Sequence, residues 1–320
     1  MTVKDNVLKL LFSKGEISGQ DIANELGCTR SAVWKAVKQL RKEGYNIEGT
    51  TNKGYILVKN CVGYTAASVA ALLNFEGDVE LLDSVSSTNT ELKKKAEAGE
   101  KEFKILIANK QTCGKGRRGR SFYSQNDGIF MSILLKPKLD AERSLYITTS
   151  AAVAVATAIN EICGIDCKIK WVNDIFFNKK KICGILTEAV VDVETGCLDY
   201  AVLGIGINFV AQREAFPEEL QDIAGAVYSL RPSNYNEIKS RLVAAILNNF
   251  YRFYTNLESC EFMDKYRELC FIFGMEVTVI QANVSYKATV IDIDNNARLI
   301  VKTQNGIKAL SSGEVSLKIN

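Results

Sequence analysis

Residues 142–163 are predicted to form a helix that is apolar almost all round its middle. Because such a helix has no polar face to turn towards water, it must be packed inside a larger core. Its longest largely apolar run, residues 151–159, is far too short to span a bilayer. We therefore expect one buried helix and no contact with a membrane, and the rest of the fold must supply the layers that cover this helix.

The segments around this helix alternate in the way that strands do. Strands are predicted at residues 79–82, 103–108, 129–135, 168–171, 175–177, 181–191 and 200–208. A polar helix is predicted at residues 91–98, and a long amphipathic one at residues 236–257, after a loop that contains Pro217. Strands that are mostly joined by hairpins, with helices beside them, are typical of an α+β domain with a mixed sheet. Residues 60–63 form a plausible linker before this domain, which we place at residues 61–270.

Residues 1–60 are predicted to form a winged helix-turn-helix domain. A first helix is followed by a second that Ser18 can cap and that stops at Gly27, and Thr29 can cap a third. Strands at residues 45–48 and 55–57 flank a turn that would form the wing, with Lys53 at its tip. Two helices joined by a short glycine-containing turn match the helix-turn-helix motif.

The third helix of this domain has a basic outer stripe opposite its apolar one. A small helical module for protein contacts is one explanation, in which the cations are merely solvated. We favour DNA binding, because an exposed Trp34 among cations needs a partner. The predicted DNA-binding residues are Arg30, Ser31, Trp34, Lys35, Lys38 and Lys53.

Residues 271–320 are predicted to form a small β-barrel. Short strands at residues 276–280, 285–291, 299–303 and 307–310 are separated by turns rich in Asn and Gly, and residues 313–317 close the chain. The 320 residues thus divide into three predicted domains, within the two or three that this length leads us to expect.

Composition excludes several kinds of chemistry. The net charge is only +3, so contact with nucleic acid must come from a local cluster. Histidine is absent and the nine cysteines form no Cys-x-x-Cys pair, which argues against zinc ribbons, redox dithiols, His-ligated metals and Ser-His catalysis. No side-chain metal site is predicted. Without a recognisable signal peptide, we expect reduced thiols and a cytoplasmic location.

Three glycines alternate with four cations in residues 114–120. Glycines let the backbone N–H groups of such a loop fold around an anion, which Lys115, Arg117, Arg118 and Arg120 can neutralise. The Gly-Lys-Ser/Thr ending of a Walker loop is missing. From this stretch alone, a solvated basic loop or a nucleic-acid patch is an equally good explanation.

Further polar residues stand at predicted strand ends. The hydroxyl and amide groups of residues 86–89 could bind a neutral polar ligand, although N-capping by Thr88 or Asn89 would explain them locally. Lys181 opens a strand after a turn, so its ammonium could point into the mouth of the sheet. Asp174 is either a turn-stabilising residue or a carboxylate that positions a nucleophile, metal or nucleotide. Glycines 204 and 206 allow a ring or phosphate to approach closely.

Taken in order, these motifs resemble the catalytic domain of biotin protein ligases. The motifs are Ser87-Thr-Asn89, residues 114–120, Lys170-Trp-Val-Asn-Asp174, residues 179–186 and Gly204-Ile-Gly-Ile-Asn208. With its flanking segments the whole chain resembles the bifunctional type, which is both biotin ligase and biotin-operon repressor. The C-terminal segment resembles the SH3-like domain of those proteins.

The resemblance implies ATP and Mg²⁺ as cofactors and biotin as the substrate. Biotinyl-5′-AMP would form first, and biotin would then pass to a lysine of a biotin carboxyl carrier protein. The resemblance also implies that biotin operator DNA is a partner and that the adenylate is the corepressor. Because a glycine-rich loop becomes ordered when an anion fills it, we predict that adenylate binding orders residues 113–124 and favours a homodimer. Neither chemical step needs a nucleophile from the protein, so the absence of histidine is no objection.

The resemblance also assigns roles to individual residues. Catalytic roles fall to Arg117, Lys181 and Asp174, and the first two would contact both the biotin carboxylate and the α-phosphate of ATP. Biotin contacts are implied for Ser87, Thr88, Asn89, Gln111, Lys115, Gly116, Arg117, Lys181 and Gly184. Nucleotide contacts are implied for Lys115, Arg118, Arg120, Phe122, Trp171, Asn173 and Asn208.

The chain departs from the family pattern at three places. Val172 stands where proline is usual, Lys115 where arginine is common, and Phe122-Tyr123 where a tryptophan is frequent. Three other functions are kept as alternatives: a transcription factor whose ligase-like domain only senses a small molecule, an acyl ligase that uses lipoate, and a biotin ligase that does not bind an operator.

Overall fold

The N-terminal module has the predicted three helices and a hairpin. A computed structural model of the protein describes residues 2–42, 45–50, 54–58, 63–125, 127–281, 284–311 and 314–316. The elements of this module are α1 (Val3–Lys14), α2 (Gly19–Glu25), α3 (Arg30–Lys42), β1 (Ile47–Thr50) and β2 (Gly54–Leu57). The predicted wing tip with Lys53 lies outside the described residues, as do residues 60–62 of the expected linker.

Local capping explains where these helices begin. Ser18 Oγ accepts a hydrogen bond from the N–H of Asp21 at 3.0 Å, and Thr29 Oγ1 accepts one from the N–H of Ala32 at 3.2 Å. After α2, Gly27 takes a positive φ of 60°. The prediction of a helix-turn-helix followed by two antiparallel strands is confirmed.

A short helix that the sequence patterns did not predict, α4 (Ala66–Ala71), connects this module to the rest of the chain. Thr65 and Ser68 form a capping box at its start. The hydroxyl of Tyr45 lies 2.6 Å from Thr65 Oγ1, so the N-terminal module is hydrogen-bonded directly to the α4 cap.

The central part is a seven-stranded mixed sheet with helices on both faces. Its strands are β3 (Asp78–Leu82), β4 (Lys104–Ala108), β5 (Ile129–Leu135), β6 (Lys168–Lys170), β7 (Asp174–Phe177), β8 (Lys180–Val191) and β9 (Leu198–Ile207). They lie in the order β3-β4-β5-β9-β8-β7-β6. The β3–β4 pair is parallel and each other neighbouring pair is antiparallel, so the predicted mixed sheet is confirmed.

The two faces of the sheet bury different helices. Leu106, Leu134 and Val202 point to the face covered by α5 (Thr88–Glu97). The alternate residues of the same strands face α6 (Leu145–Cys163) and α7 (Tyr235–Tyr254). A further helix, α8 (Phe262–Leu269), packs on α6.

Helix α6 is enclosed by the sheet on one side and by α7 and α8 on the other. Residues 141–163 are long and apolar enough to cross a membrane by composition alone, but most of their surface is buried inside the protein. The prediction of a buried helix is thereby confirmed. The helix begins three residues later than predicted, because Glu142 lies in a preceding 3₁₀ turn.

Two other helix boundaries were predicted wrongly. Helix α5 begins at Thr88 instead of residue 91, and its N-cap is Ser87, whose side chain makes no capping hydrogen bond. Capping by Thr88 or Asn89 is therefore wrong, since both lie in the first helical turn. Helix α7 ends at Tyr254, three residues before the predicted end, and a 3₁₀ turn follows at Leu257–Ser259.

The C-terminal segment forms an antiparallel sheet, as predicted. Its strands are β10 (Glu276–Gln281), β11 (Val284–Ile293), β12 (Leu299–Thr303), β13 (Gly306–Leu310) and β14 (Glu314–Ser316), in the order β13-β12-β11-β10-β14. Val277, Val290 and Leu299 belong to the same buried apolar cluster as the central domain. Closure of this sheet into a barrel stays a prediction.

Candidate active site

A pocket opens on the α5 face of the seven-stranded sheet. It is lined by most of the predicted site residues, which come from the start of α5, the segment after β4, residues 114–122 (the glycine-basic loop), the turn at residues 171–173, and strands β7 and β8. They are Ser87, Thr88, Asn89, Gln111, Lys115, Gly116, Arg117, Arg118, Arg120, Phe122, Trp171, Asn173, Asp174, Lys181 and Gly184. Asn208 is placed elsewhere: its Nδ2 donates to Gly225 O at 2.9 Å, and it does not line the pocket.

Glycines form the floor of this pocket. Gly184 on β8 lies opposite Gly206 on β9, and Gly204 lies two pairs further along, opposite Leu186. The ring of Phe122 rests on this floor, since a Cβ added to Gly184 or Gly206 would stand 3.0 Å and 2.6 Å from its ring carbons. The remaining pocket of about 160 Å³ is smaller than the ~300–1,000 Å³ typical of small-molecule sites.

One end of the pocket is neutral and polar. Ser132 Oγ lies 2.7 Å from Thr88 Oγ1 and 2.6 Å from Asn89 Oδ1. The amide of Asn89 donates to Glu188 Oε2 at 2.8 Å, and Gln111 Oε1 accepts from the N–H of Thr88 at 2.8 Å. Hydroxyl and amide groups that are ordered in this way can both donate to and accept from an uncharged polar ring.

Sequence reasoning missed Ser132 and Glu188 in this network. Ser132 did carry a signal, because it is the one polar residue in the otherwise apolar strand Ile129–Leu135. A hydroxyl buried in such a strand needs a hydrogen-bond partner.

The other end of the pocket is charged. The ammonium of Lys181 lies 2.6 Å from Asp174 Oδ1, and Arg117 Nη1 donates to Asn173 Oδ1 at 3.1 Å. The two cations that the sequence singled out are therefore anchored to adjacent residues. One cation comes from the loop and the other from a strand, and both line the same pocket.

A β-bulge explains the direction of the Lys181 side chain. Ile175 pairs with Cys183, whereas the next residue, Phe176, pairs with Lys181, so Ile182 is an extra residue in β8. Side chains alternate between faces along a strand, and one inserted residue reverses the face of those before it. The bulge thus puts Lys181 on the same face as Gly184 and Asp174.

Asp174 opens β7, so its placement in a turn was wrong; the turn consists of residues 171–173. Its Oδ1 is buried and, although close to the ammonium, has no well-aligned hydrogen bond. No cluster of three or more Cys, Asp or Glu side chains suited to a metal was found among the described residues. Asp174 is the one carboxylate among the described residues that line the pocket, so it is the group that would hold Mg²⁺, which is commonly bound by one or two carboxylates and substrate phosphates.

The glycine-basic loop forms a narrow turn over the pocket. The N–H of Gly116 donates to Arg120 O at 2.7 Å, and the N–H of Phe122 donates to Gly114 O at 2.9 Å. Arg118 at the tip has a positive φ of 57°. The side chains of Lys115, Arg118 and Arg120 line the pocket rim and are exposed to solvent, as residues that meet an incoming anion must be.

A second candidate site lies on α3. Arg30, Ser31, Trp34, Lys35 and Lys38 all lie on its exposed side, and the Trp34 side chain is 53% exposed. Lys38 Nζ lies 5.0 Å from the centre of the Trp34 ring. Arg41, which belongs to the same basic stripe, instead donates from Nε to Ile47 O at 2.7 Å and so braces β1.

Comparison with known proteins agrees with this arrangement. Residues 81–208 match the model of the biotin/lipoate A/B protein ligase family, residues 4–56 match an HTH domain, and residues 272–318 match the biotin protein ligase C terminal domain. The bifunctional ligase/repressor BirA of Bacillus spizizenii is 34% identical over 99% of both chains, and that of Escherichia coli is 25% identical over the same shares.

Solved structures give the same result. The biotin protein ligase from Aquifex aeolicus in complex with biotin and ATP superposes with a TM-score of 0.59 at 29% identity, covering 75% of this chain and 97% of that one. The chain belongs to the biotin protein ligase family. Within it, the similarity over the full length is to the bifunctional ligase/repressors, which confirms the resemblance carried by the motifs.

Proposed function

We propose that the protein is an ATP-dependent biotin ligase that forms biotinyl-5′-AMP and transfers biotin to a lysine of a carboxyl carrier protein. The observation that carries this proposal is the approach of Arg117 and Lys181, through adjacent Asn173 and Asp174, to one pocket with a neutral polar end. That polar end suits the uncharged ureido ring of biotin, and the glycine floor lets the ring lie flat against the sheet.

In the first step, the biotin carboxylate attacks the α-phosphorus of ATP, and the bond to the bridging oxygen of pyrophosphate breaks. The approach of two anions is the main obstacle. The guanidinium of Arg117 and the ammonium of Lys181 remove this repulsion and stabilise the charge that gathers on the phosphorus oxygens. Mg²⁺ bound to ATP would supply further charge neutralisation, and Asp174 is the residue that would hold it.

In the second step, the amine of an acceptor lysine attacks the acyl carbon of the mixed anhydride. A C–N bond forms and the C–O bond to AMP breaks, which gives an amide and AMP. Asp174, which is ion-paired with Lys181 at 2.6 Å, would orient the incoming amine, and the proton that the amine loses passes to solvent. No protein nucleophile takes part in either step.

The test of this proposal is biotin-dependent exchange of labelled pyrophosphate into ATP by the pure protein. We expect exchange with biotin and none without it. Absence of exchange would favour a sensor that only binds a small molecule. Tight binding of lipoate together with no response to biotin would favour an acyl ligase of the other branch of the matched family.

We also infer that the protein represses biotin-synthesis genes, with the adenylate as corepressor. The exposed basic face of α3 supports contact with operator DNA. Adenylate would order residues 113–124 and favour a homodimer, so that two N-terminal modules face a two-fold operator. Limited proteolysis and a mobility shift with the promoter of the organism's own biotin genes test this inference. Equal cleavage of the loop with and without adenylate would rule out the ordering, and the absence of a mobility shift would leave a ligase without a repressor role.

The finer organisation belongs to the same proposal. The domains would span residues 1–60, 61–270 and 271–320, the C-terminal sheet would close into an SH3-like barrel, and the protein would act in the cytoplasm. The shared buried cluster supports close docking of the last two domains. Hydrogen exchange of the three segments, measured on the whole protein, would check the boundaries.

A further inference from the structure

Three consecutive residues of the turn at residues 171–173 are each held by a different part of the chain. The indole N–H of Trp171 donates to Ala297 O at 3.0 Å, and both residues are buried. Ala297 lies in the turn between β11 and β12. Asp294 holds this turn, because its C=O accepts from the N–H of Ala297 at 3.0 Å and its Oδ1 accepts from the N–H of Arg298 at 2.9 Å. The C-terminal sheet therefore reaches the rim of the pocket through one hydrogen bond.

The second residue of the turn is held by α8. The hydroxyl of Tyr266 donates to Val172 O at 3.1 Å, and the Tyr266 side chain is completely buried. Burial raises the pKa of this phenol well above its ordinary value, so the hydroxyl keeps its proton and remains a donor.

The third residue carries the cation. Asn173 is bonded to Ile185 twice, since its Nδ2 donates to Ile185 O at 2.8 Å and its C=O accepts from the N–H of Ile185 at 3.0 Å. Its remaining amide oxygen accepts from Arg117 Nη1. Any tilt of the turn would move this oxygen and, with it, the guanidinium.

We propose that Trp171 and Tyr266 are positioning residues: through them the β11–β12 turn and helix α8 hold residues 171–173 in the orientation that directs Arg117 to the reacting phosphate. This inference rests on the proposed ligase function. The ring of Trp171 borders the pocket, but its N–H points away from it to Ala297. Its polar group therefore acts on the reaction through Asn173 instead of touching the nucleotide.

The experiment uses Trp171→Phe and Tyr266→Phe in the full-length protein, because each substitution keeps a ring and deletes one donor. The matched control is Tyr146→Phe. Tyr146 on α6 is equally buried, and its hydroxyl donates to Asn295 O at 2.9 Å, in the same C-terminal turn, without touching residues 171–173. The control separates a general weakening of the contact with the C-terminal turn from a specific misplacement of Arg117 in the pocket.

We expect Trp171→Phe and Tyr266→Phe each to lower kcat for pyrophosphate exchange about tenfold, with KM for biotin within about twofold of wild type. All three variants should lower the thermal midpoint by similar amounts. Tyr146→Phe should nevertheless leave kcat unchanged. In an Arg117→Ala background, Trp171→Phe should cost nothing further in kcat, because the group that it positions is gone.

An unchanged kcat for Trp171→Phe, or an equal loss in Tyr146→Phe, would overturn the positioning role. So would a full additional loss in the Arg117→Ala background. A wild-type protein that shows no biotin-dependent exchange would instead refute the ligase proposal itself, which keeps the two failures distinct.

Discussion

The side-chain amide of Asn89 lies directly against the backbone of Gly204, so closely that no Cβ fits between them. Asn89 cannot move away freely, because Ser132 and Glu188 hold its two polar ends at 2.6 and 2.8 Å. Position 204 must therefore be glycine while Asn89 keeps this position, and the polar end of the pocket depends on both residues.

A methyl group at position 204 should therefore disturb ligand binding before it disturbs the fold. We expect Gly204→Ala to displace the Asn89 amide and to weaken biotin binding about tenfold, the equivalent of ~1.4 kcal/mol, as measured by calorimetry. The control is Asn89→Ala alone and with Gly204→Ala. If the clash is the cause, the double variant should bind biotin no worse than Asn89→Ala.

Two adjacent lysines should differ sharply in importance. Lys181 lines the pocket, whereas Lys180 donates from Nζ to Gln221 O at 2.6 Å, outside it. Lys181→Met should reduce pyrophosphate exchange by about 10²–10³-fold, the range found when a preorganised charge-stabilising group is removed. Lys180→Met should remain within about twofold of wild type. Similar losses in both variants would mean that the general charge of the segment matters, not the ion pair with Asp174.

Operator binding should depend on salt through individual cations of α3. Replacing Lys38 with Gln should weaken binding to the biotin promoter and reduce the slope of log K against log salt by about 1, because one phosphate contact is lost. Lys14→Gln is the control, since Lys14 lies on α1 and is paired with Glu25 at 2.9 Å. Fluorescence anisotropy at several salt concentrations, with biotin and ATP present, measures both slopes. An unchanged slope for Lys38→Gln would contradict the prediction that α3 contacts the DNA phosphates.

A buried amine on α7 gives the protein a distinctive dependence on pH. Lys239 Nζ donates to Gly128 O at 2.9 Å and lies 4.4 Å from the centre of the Tyr64 ring and 5.2 Å from that of Tyr235. Burial lowers the pKa of Lys239 from 10.5 to about 8, and the charge of Arg231 acts in the same direction. Asp127 opposes the shift but does not cancel it.

The folded protein releases this proton near pH 8, whereas the unfolded chain keeps it until about pH 10.5. Between these values the unfolded state binds more protons, so the contribution of Lys239 to stability rises with pH. The free energy of unfolding of wild type minus that of Lys239→Met should increase by ~2 kcal/mol from pH 7 to 9.5 in urea titrations. Buried phenols and thiols titrate in both proteins and cancel in this difference. A constant difference would mean that the amine keeps its ordinary pKa.

Elements that follow from local patterns were predicted well. Both ends of the strand Ile129–Leu135 were predicted correctly, because a short apolar run bounded by turn residues indicates a buried strand. The caps at Ser18 and Thr29 were predicted for the same reason, since a Ser or Thr directly before an apolar helical stripe typically accepts a hydrogen bond from the first turn of the helix. The pocket residues were assembled only by resemblance to a family, because they come from segments far apart in the sequence.

What could not be predicted depends on partners that are remote in sequence. The extra residue Ile182, which turns Lys181 towards the pocket, appears only when β8 is paired with β7. The carbonyl that accepts from Trp171 is 126 residues away, so a pocket-lining role was the natural prediction for the whole side chain. Lys239 lies in a helix of ordinary amphipathic pattern, and no feature of that pattern marks its burial.

Phe122 covers Gly184 and Gly206, the glycine floor on which the ureido ring of the proposed ligand would lie. A ligand that lies on these two glycines must displace the Phe122 ring. The measured affinity of such a ligand therefore includes the free energy of moving the Phe122 ring off the glycines, and does not report the filling of an open cavity alone.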